Sequence, residues 1–157
     1  MNKTYLYLVS KLAPLRSARR SARLHLRNFK QQECYSQEGE DLILSRFFEG
    51  KKDGFYIDVG AHHPFRFSNT ALFHQRGWKG VNIDPTPGTA ILFDRYRPLD
   101  VNIECGISTS SESLEFFTFN EPALNTFDSE IAAEHVAGGR WKQLDKKMVP
   151  NRTLKEV

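Results

Sequence analysis

The chain has 157 residues, 39% of them apolar and 26% charged, enough for one domain with a hydrophobic core and unlike collagen, low-complexity or disordered sequence. Lys and Arg number 22 and Asp and Glu 19, yet eight of the bases and no acid lie in residues 1–32, so residues 33–157 carry 14 against 19, a net charge of −5. The basic balance therefore belongs to an N-terminal arm and gives no ground for nucleic-acid binding by the body.

Two cysteines, Cys34 and Cys105, stand far apart with no CxxC and no His at ligand spacing. Neither a disulfide framework nor a metal site is expected, and two free thiols suit a reducing cytoplasm. No apolar run approaches the roughly 20 residues of a membrane span. Residues 5–15 are apolar but interrupted by Lys11, and no small-residue cleavage site follows, so they read as neither signal peptide nor anchor.

Residues 1–32 can be drawn as a helix with Leu8, Leu12, Leu15 and Leu26 on one side, although Pro14 interrupts it and Arg19 falls inside the stripe. Such an arm either makes a weak contact with anionic lipid or a partner through its basic residues, or trails as a solvated extension. From Ser36 the texture changes, and residues 33–157 read as one domain. Ser36-Gln37-Glu38-Gly39-Glu40-Asp41 offers capping chemistry and early negative charge for a helix reaching about Phe48. Residues 50–54 form a glycine-bounded turn. Residues 55–59 are a short apolar run, expected to be a strand buried on both faces. Ser68 can cap a helix to about Arg76, with Gly77 as its stop. Residues 80–84 give a second strand, Pro87 opens a helix that ends at Arg97 before Pro98, and residues 101–105 give a third strand. Strand, helix, strand, helix, strand asks for parallel strands joined by right-handed crossovers.

Beyond Gly106 the pattern weakens. Residues 114–119 alternate imperfectly as a fourth strand, 131–136 form a helical patch, and 153–157 look like another helix start. Phe47, Phe48, Phe55, Phe116, Phe117 and Phe119 are expected in the core rather than on a stacking platform.

Ligands of an open parallel sheet sit at the carboxyl ends of its strands. Three such ends carry chemistry here: Asp58-Val59-Gly60-Ala61, Asp84-Pro85 and Glu104-Cys105-Gly106. Gly60 removes a Cβ where backbone would approach a ligand. Asp84, leaving the second strand, can accept hydrogen bonds from both ribose hydroxyls of an adenosine. After Gly60 come Ala61, His62, His63 and Pro64 in place of GxGxxG, so a pyrophosphate cradle is poorly supported.

Five ordered blocks resemble FkbM-type methyltransferases: residues 36–41, residues 54–61 (Gly-Phe-Tyr-Ile-Asp-Val-Gly-Ala), Ser68-Asn69-Thr70, residues 80–85 (Gly-Val-Asn-Ile-Asp-Pro) and residues 121–126 (Glu-Pro-Ala-Leu-Asn-Thr). The resemblance spans roughly residues 33–157. It implies an α/β, Rossmann-like class I methyltransferase fold, a parallel sheet with flanking helices, and S-adenosylmethionine as methyl donor. It also implies oxygen methylation of a small-molecule or glycan hydroxyl, as in sugars and natural products. By position, Asp58, Gly60 and Ala61 match the first cofactor motif and Asp84 the ribose-binding acid. Glu104 and Cys105 fall where the adenine edge is approached, and Ser36 and Gln37 in a block that can close over the methionine end. Family members continue into further core strands, so the domain reads as truncated with an unpaired apolar strand edge, and its own activity is open.

Methyl transfer to a hydroxyl needs alignment, exclusion of water and a base titrating near neutrality. His62 and His63 are the local candidates, against a reading of both as turn residues. Cys105 reads as buried packing rather than a nucleophile. Two other classes stay open: a nicotinamide-dependent oxidoreductase on the same sheet, and a non-catalytic fragment.

Overall fold

Two stretches of alternating apolar residues pair first with each other and then with a third. In the computed structural model, which describes residues 33–157, β1 (Phe55–Val59) pairs parallel with β2 (Lys79–Ile83), which pairs parallel with β3 (Val101–Ile103). The expectations placed on residues 1–32 lie outside the described residues. Before the sheet comes α1 (Glu40–Phe47); the crossovers contain α2 (Ala71–Gln75) and α3 (Thr89–Tyr96). The third strand ends two residues short of the expected 105, so Glu104 and Cys105 leave the sheet as a turn.

Ser36 acts at the start of α1 from outside the helix. Its hydroxyl accepts the N–H groups of Gly39 (3.1 Å) and Asp41 (3.3 Å) and donates to the Asp41 carboxylate (2.8 Å). Ser68 likewise accepts the first N–H of α2, from Ala71, at 3.1 Å. Both hydroxyls supply the partner that a helix start lacks.

Strand order 1-2-3 with parallel crossovers brings both helices to one face of the sheet. On that face Tyr56 packs with Phe73 of α2 and Trp78, and Phe93 of α3 is fully buried. The opposite face corrects the expectation of a strand buried on both sides: Phe55, Ile57 and Val59 are each more than half exposed, and β1 pairs only with β2 among the described residues. Phe47 and Phe48 are exposed as well, whereas Phe116, Phe117 and Phe119 are buried as expected.

Downstream of β3, residues 114–119 do form a strand, but outside the parallel sheet. β5 (Leu114–Phe119) makes an antiparallel hairpin with β6 (Gln143–Val149) across a 3-10 turn (Pro122–Leu124) and α4 (Ser129–Ala137). The short β4 (Gly106–Ile107) pairs parallel with β7 (Asn151–Arg152). Residues 153–157 make a turn instead of the expected helix start, closed by Glu156 accepting Thr153 N–H at 2.7 Å.

The covered face holds a buried polar hub. Arg97, fully buried at the end of α3, donates through Nη1 to Thr70 Oγ1 (2.8 Å) and Asn82 Oδ1 (3.1 Å), and through Nη2 to Ser68 Oγ (3.0 Å) and the Pro64 carbonyl. The Thr70 hydroxyl in turn donates to the Asp58 carboxylate at 2.5 Å. Asp100 accepts Asn82 Nδ2 (3.1 Å), Gly80 N–H (3.1 Å) and the Tyr56 hydroxyl. Removing a buried cation strands its partners, which costs about 3–5 kcal/mol. Arg97→Met should therefore lower unfolding free energy by about that amount in urea denaturation; a loss under about 1 kcal/mol would show the hub to be dispensable.

Candidate functional site

Beyond the carboxyl ends of β1, β2 and β3, and alongside β4, lies a cavity of about 470 Å³. Gly60, Asp84, Cys105 and Gly106 form its strand-end wall, with Ile83 and Ile107; Phe116, Asn125 and Phe127 close it from the hairpin side. Gly60 has φ +75, and a Cβ there would meet no atom within 4 Å, so glycine leaves backbone bare beside open space. At Gly106 the constraint is opposite: a Cβ would lie 1.8 Å from the buried Asn151 Oδ1 and 2.6 Å from the Phe127 ring.

Asp84 is buried and joins two turns. Its Oδ2 accepts the His62 N–H and its Oδ1 the Thr86 N–H, both at 2.8 Å. Each oxygen keeps one further lone pair. Asp58, one strand over, faces the hub instead: its carboxylate accepts from Thr70 and it does not line the cavity. Burial pushes its carboxyl above the usual range, opposed by the Thr70 hydrogen bond and the Arg97 charge.

The turn after β1 is closed on itself. Gly60 and Ala61 donate to the Ile83 carbonyl, His62 to Asp84 and His63 to the Ala61 carbonyl. Phe65 and Arg66 both donate to His63 Nδ1 at 3.0 Å, and Pro64 has no N–H. From Gly60 to Arg66 every backbone donor is engaged within the protein.

Those bonds also define both imidazoles. His63 Nδ1 must be unprotonated, so its proton sits on Nε2 and no lone pair is left for a base. That corrects the expectation of His63 as a proton acceptor: it organises the turn. Arg66 Nη1 lies 3.3 Å from His62 Nε2, and a guanidinium only donates, so His62 carries its proton on Nδ1. Burial lowers the pKa of both rings, reinforced at His63 by neighbouring positive charge. His62 holds a left-handed backbone, φ +56, anchored by its N–H to Asp84.

Arg66 spans to the far wall, donating to both Glu121 carboxylate oxygens at 2.7 and 2.8 Å. Asn125 ties the same segment to the turn after β2 through Thr86 Oγ1 (3.1 Å) and accepts the Phe119 N–H (2.8 Å). Asn125 and Thr126, for which sequence reasoning holds open an acceptor pocket and a turn, both line the cavity, as does Thr86, which no motif announces.

Of the remaining expected residues only Cys105 lines the cavity. Ser36 is buried in the α1 cap, Gln37 is exposed, and neither lines the cavity. Ala61 is buried behind the turn. Glu104 points to the start of α3, where its carboxylate accepts the Gly88 N–H at 2.8 Å. Cys105 is buried in the cavity wall, and burial raises its thiol pKa. Among the described residues no three His, Cys, Asp or Glu side chains gather where a metal could sit, and no helix is long and apolar enough to cross a membrane.

The model of the Methyltransferase FkbM domain matches residues 58–157, from Asp58 through the whole cavity wall. The chain belongs to the FkbM methyltransferase family. Family membership gives methyl transfer as its class of activity and is consistent with the α/β arrangement around the parallel sheet. No curated protein and no solved structure matches the chain. In this FkbM domain Asp58 is thus a partner of the hub, while Asp84 alone of the two acids reaches the cavity.

The two imidazoles give the FkbM domain an acid-sensitive turn. In the unfolded chain each titrates near 6.5; in the folded protein each titrates lower. Stability is complete above about pH 6.5 and falls as pH drops through that window, because the unfolded chain then binds more protons. Thermal melts should show this decline between pH 7 and 5, and His63→Asn, which keeps an acceptor without a titrating ring, should flatten it. An unchanged slope in that variant would remove His63 from the account.

Proposed function

We propose that this protein binds S-adenosylmethionine in the 470 Å³ cavity, on a Rossmann-like class I methyltransferase sheet, and methylates a hydroxyl of a sugar or natural product. The observation that carries this reading is Asp84, buried at the tip of the second strand yet lining the cavity with a free lone pair on each oxygen. Two ribose hydroxyls can donate to those lone pairs. The apolar wall of Ile83, Cys105, Ile107 and Phe116 suits the flat face of an adenine. When bound, the cofactor supplies a methyl group on a sulfonium. The chain's own part is to hold the adenosine, exclude water with the hairpin-side wall, and place the acceptor oxygen in line.

The engaged N–H groups of residues 60–66 favour this cofactor over a nicotinamide dinucleotide. A pyrophosphate needs free backbone donors at a turn or helix N-terminus, and this turn has none to offer. An adenosine linked to an amino acid through sulfur has no phosphate to satisfy.

Calorimetric titration with S-adenosylhomocysteine tests the assignment. The wild-type protein should bind it and show no heat with NAD. Asp84→Ala should weaken binding roughly 10- to 100-fold, the loss of one charge-assisted hydrogen bond or more. Equal affinity in that variant would refute the ribose contact; binding of NAD in preference would return the oxidoreductase reading.

A further inference from the structure

A second cavity, of about 350 Å³, adjoins the first and shares His62, Thr86 and Pro122 with it. Its other walls include His63, Arg66, Pro87 and Leu92. The volume lies at the small end of the range for ligand pockets.

Its electrostatics are unusual for a site so rich in basic residue types, because no positive charge in it is left over. Arg66 is neutralised by the two-pronged pair with Glu121. Both imidazoles are kept neutral by burial, and each has its acceptor nitrogen already occupied. The positive start of α3 beside Gly88 is met by the Glu104 carboxylate. The nearest further charge is Asp84, an acid, beneath the His62 N–H. What remains uncommitted is a set of donors with no unpaired cation among them: His62 Nδ1–H and His63 Nε2–H, for which no protein partner is found among the described residues, and the Arg66 N–H groups left over from its pair with Glu121. They sit in a lining completed by Pro87, Pro122, Leu92, Gly88 and two threonines.

N–H donors without an unpaired cation, in a largely apolar lining, select a particular chemistry. They suit neutral oxygen acceptors, such as hydroxyl or ether oxygens, on a compact molecule with an apolar face. A carboxylate or phosphate would lose its hydration and gain no unpaired cation in return. The geometry points to the cavity beside His62 and His63 as the binding site for a neutral, hydroxyl-bearing, partly apolar molecule. Taken with the proposed cofactor site across the shared His62–Thr86–Pro122 wall, this molecule is the methyl acceptor, and phosphorylated or acidic acceptors are excluded. The binding claim itself stands on the second cavity alone; only the word acceptor rests on the cofactor reading.

Saturation-transfer NMR with phenyl β-D-glucopyranoside and its carboxylate counterpart, phenyl β-D-glucuronide, tests it on the whole chain. The glucoside should receive saturation, and the glucuronide should bind at least tenfold more weakly. Leu92→Trp, which fills the cavity from α3, should abolish the glucoside signal while changing S-adenosylhomocysteine affinity less than twofold. In the wild-type protein the glucoside should also shift the ¹⁵N resonances of the His62 and His63 rings and leave those of His74 in place, a readout that needs no variant to fold. Absence of glucoside binding, equal binding of the glucuronide, or shifts that spare both rings would overturn the proposal. Glucoside binding without S-adenosylhomocysteine binding would sink the cofactor reading and leave this site standing.

Discussion

A guanidinium taken wholly out of water holds the end of α3 against the loop that leads into α2. Arg97 reaches the Pro64 carbonyl, Ser68 and Thr70 on one side and Asn82 of the central strand on the other. A buried cation is tolerable when hydrogen bonds and nearby opposite charge answer it. Here the two terminal nitrogens meet hydroxyl, amide and carbonyl oxygens of Pro64, Ser68, Thr70 and Asn82, Nε alone lacks a partner among the described residues, and Asp58 and Asp100 stand one hydrogen bond further out. A lysine, with a compact charge and no fork, could not serve so many directions at once. Because residues 64–70 form the far side of the turn that starts at Gly60, the placement of the cavity wall follows from this one side chain.

On the cavity side Asp84 does for two turns what Arg97 does for the core. It accepts one N–H from each of the turns that follow β1 and β2, so its first task is architectural and any ligand hydroxyl comes second. The same economy appears at His63, whose single lone pair receives two amides. The turn that results is rigid, donor-poor and uncharged. Its selectivity comes as much from what it withholds, namely free N–H groups, as from what it presents.

Much of this was readable in advance, and the failures have physical causes. The strands at 55–59 and 80–84, the intervening helices and the acid at the tip of the second strand followed from apolar runs bounded by turn residues. Residues 121–126, singled out as a block, do lie over the cavity. The strand at 143–149 carried no signal, because Asp145, Lys146 and Lys147 face solvent in its middle and its partner is a single hairpin strand. The expectation of a doubly buried β1 failed because consecutive crossovers in strand order 1-2-3 bring both helices to the same side. Arg97 was unreadable for another reason. An arginine at a helix end resembles a solvated terminus until distant residues supply its partners. His62 and His63, alike in sequence, separate only through the atoms their nitrogens meet.

His62 and Phe67 bracket the closed turn, each with φ +56. Left-handed backbone is uncommon for any residue with a Cβ, tolerated by histidine and asparagine and poorly by aromatic or branched side chains. The loop between them is therefore a narrow channel for inherited variation. Exchanges to Asn or Gly at position 62 keep the path of the chain, while valine or isoleucine there would bend it away from Asp84. Descendants of this sequence can vary the surface helices widely, yet at these two corners the backbone, not the ligand, decides which amino acids persist.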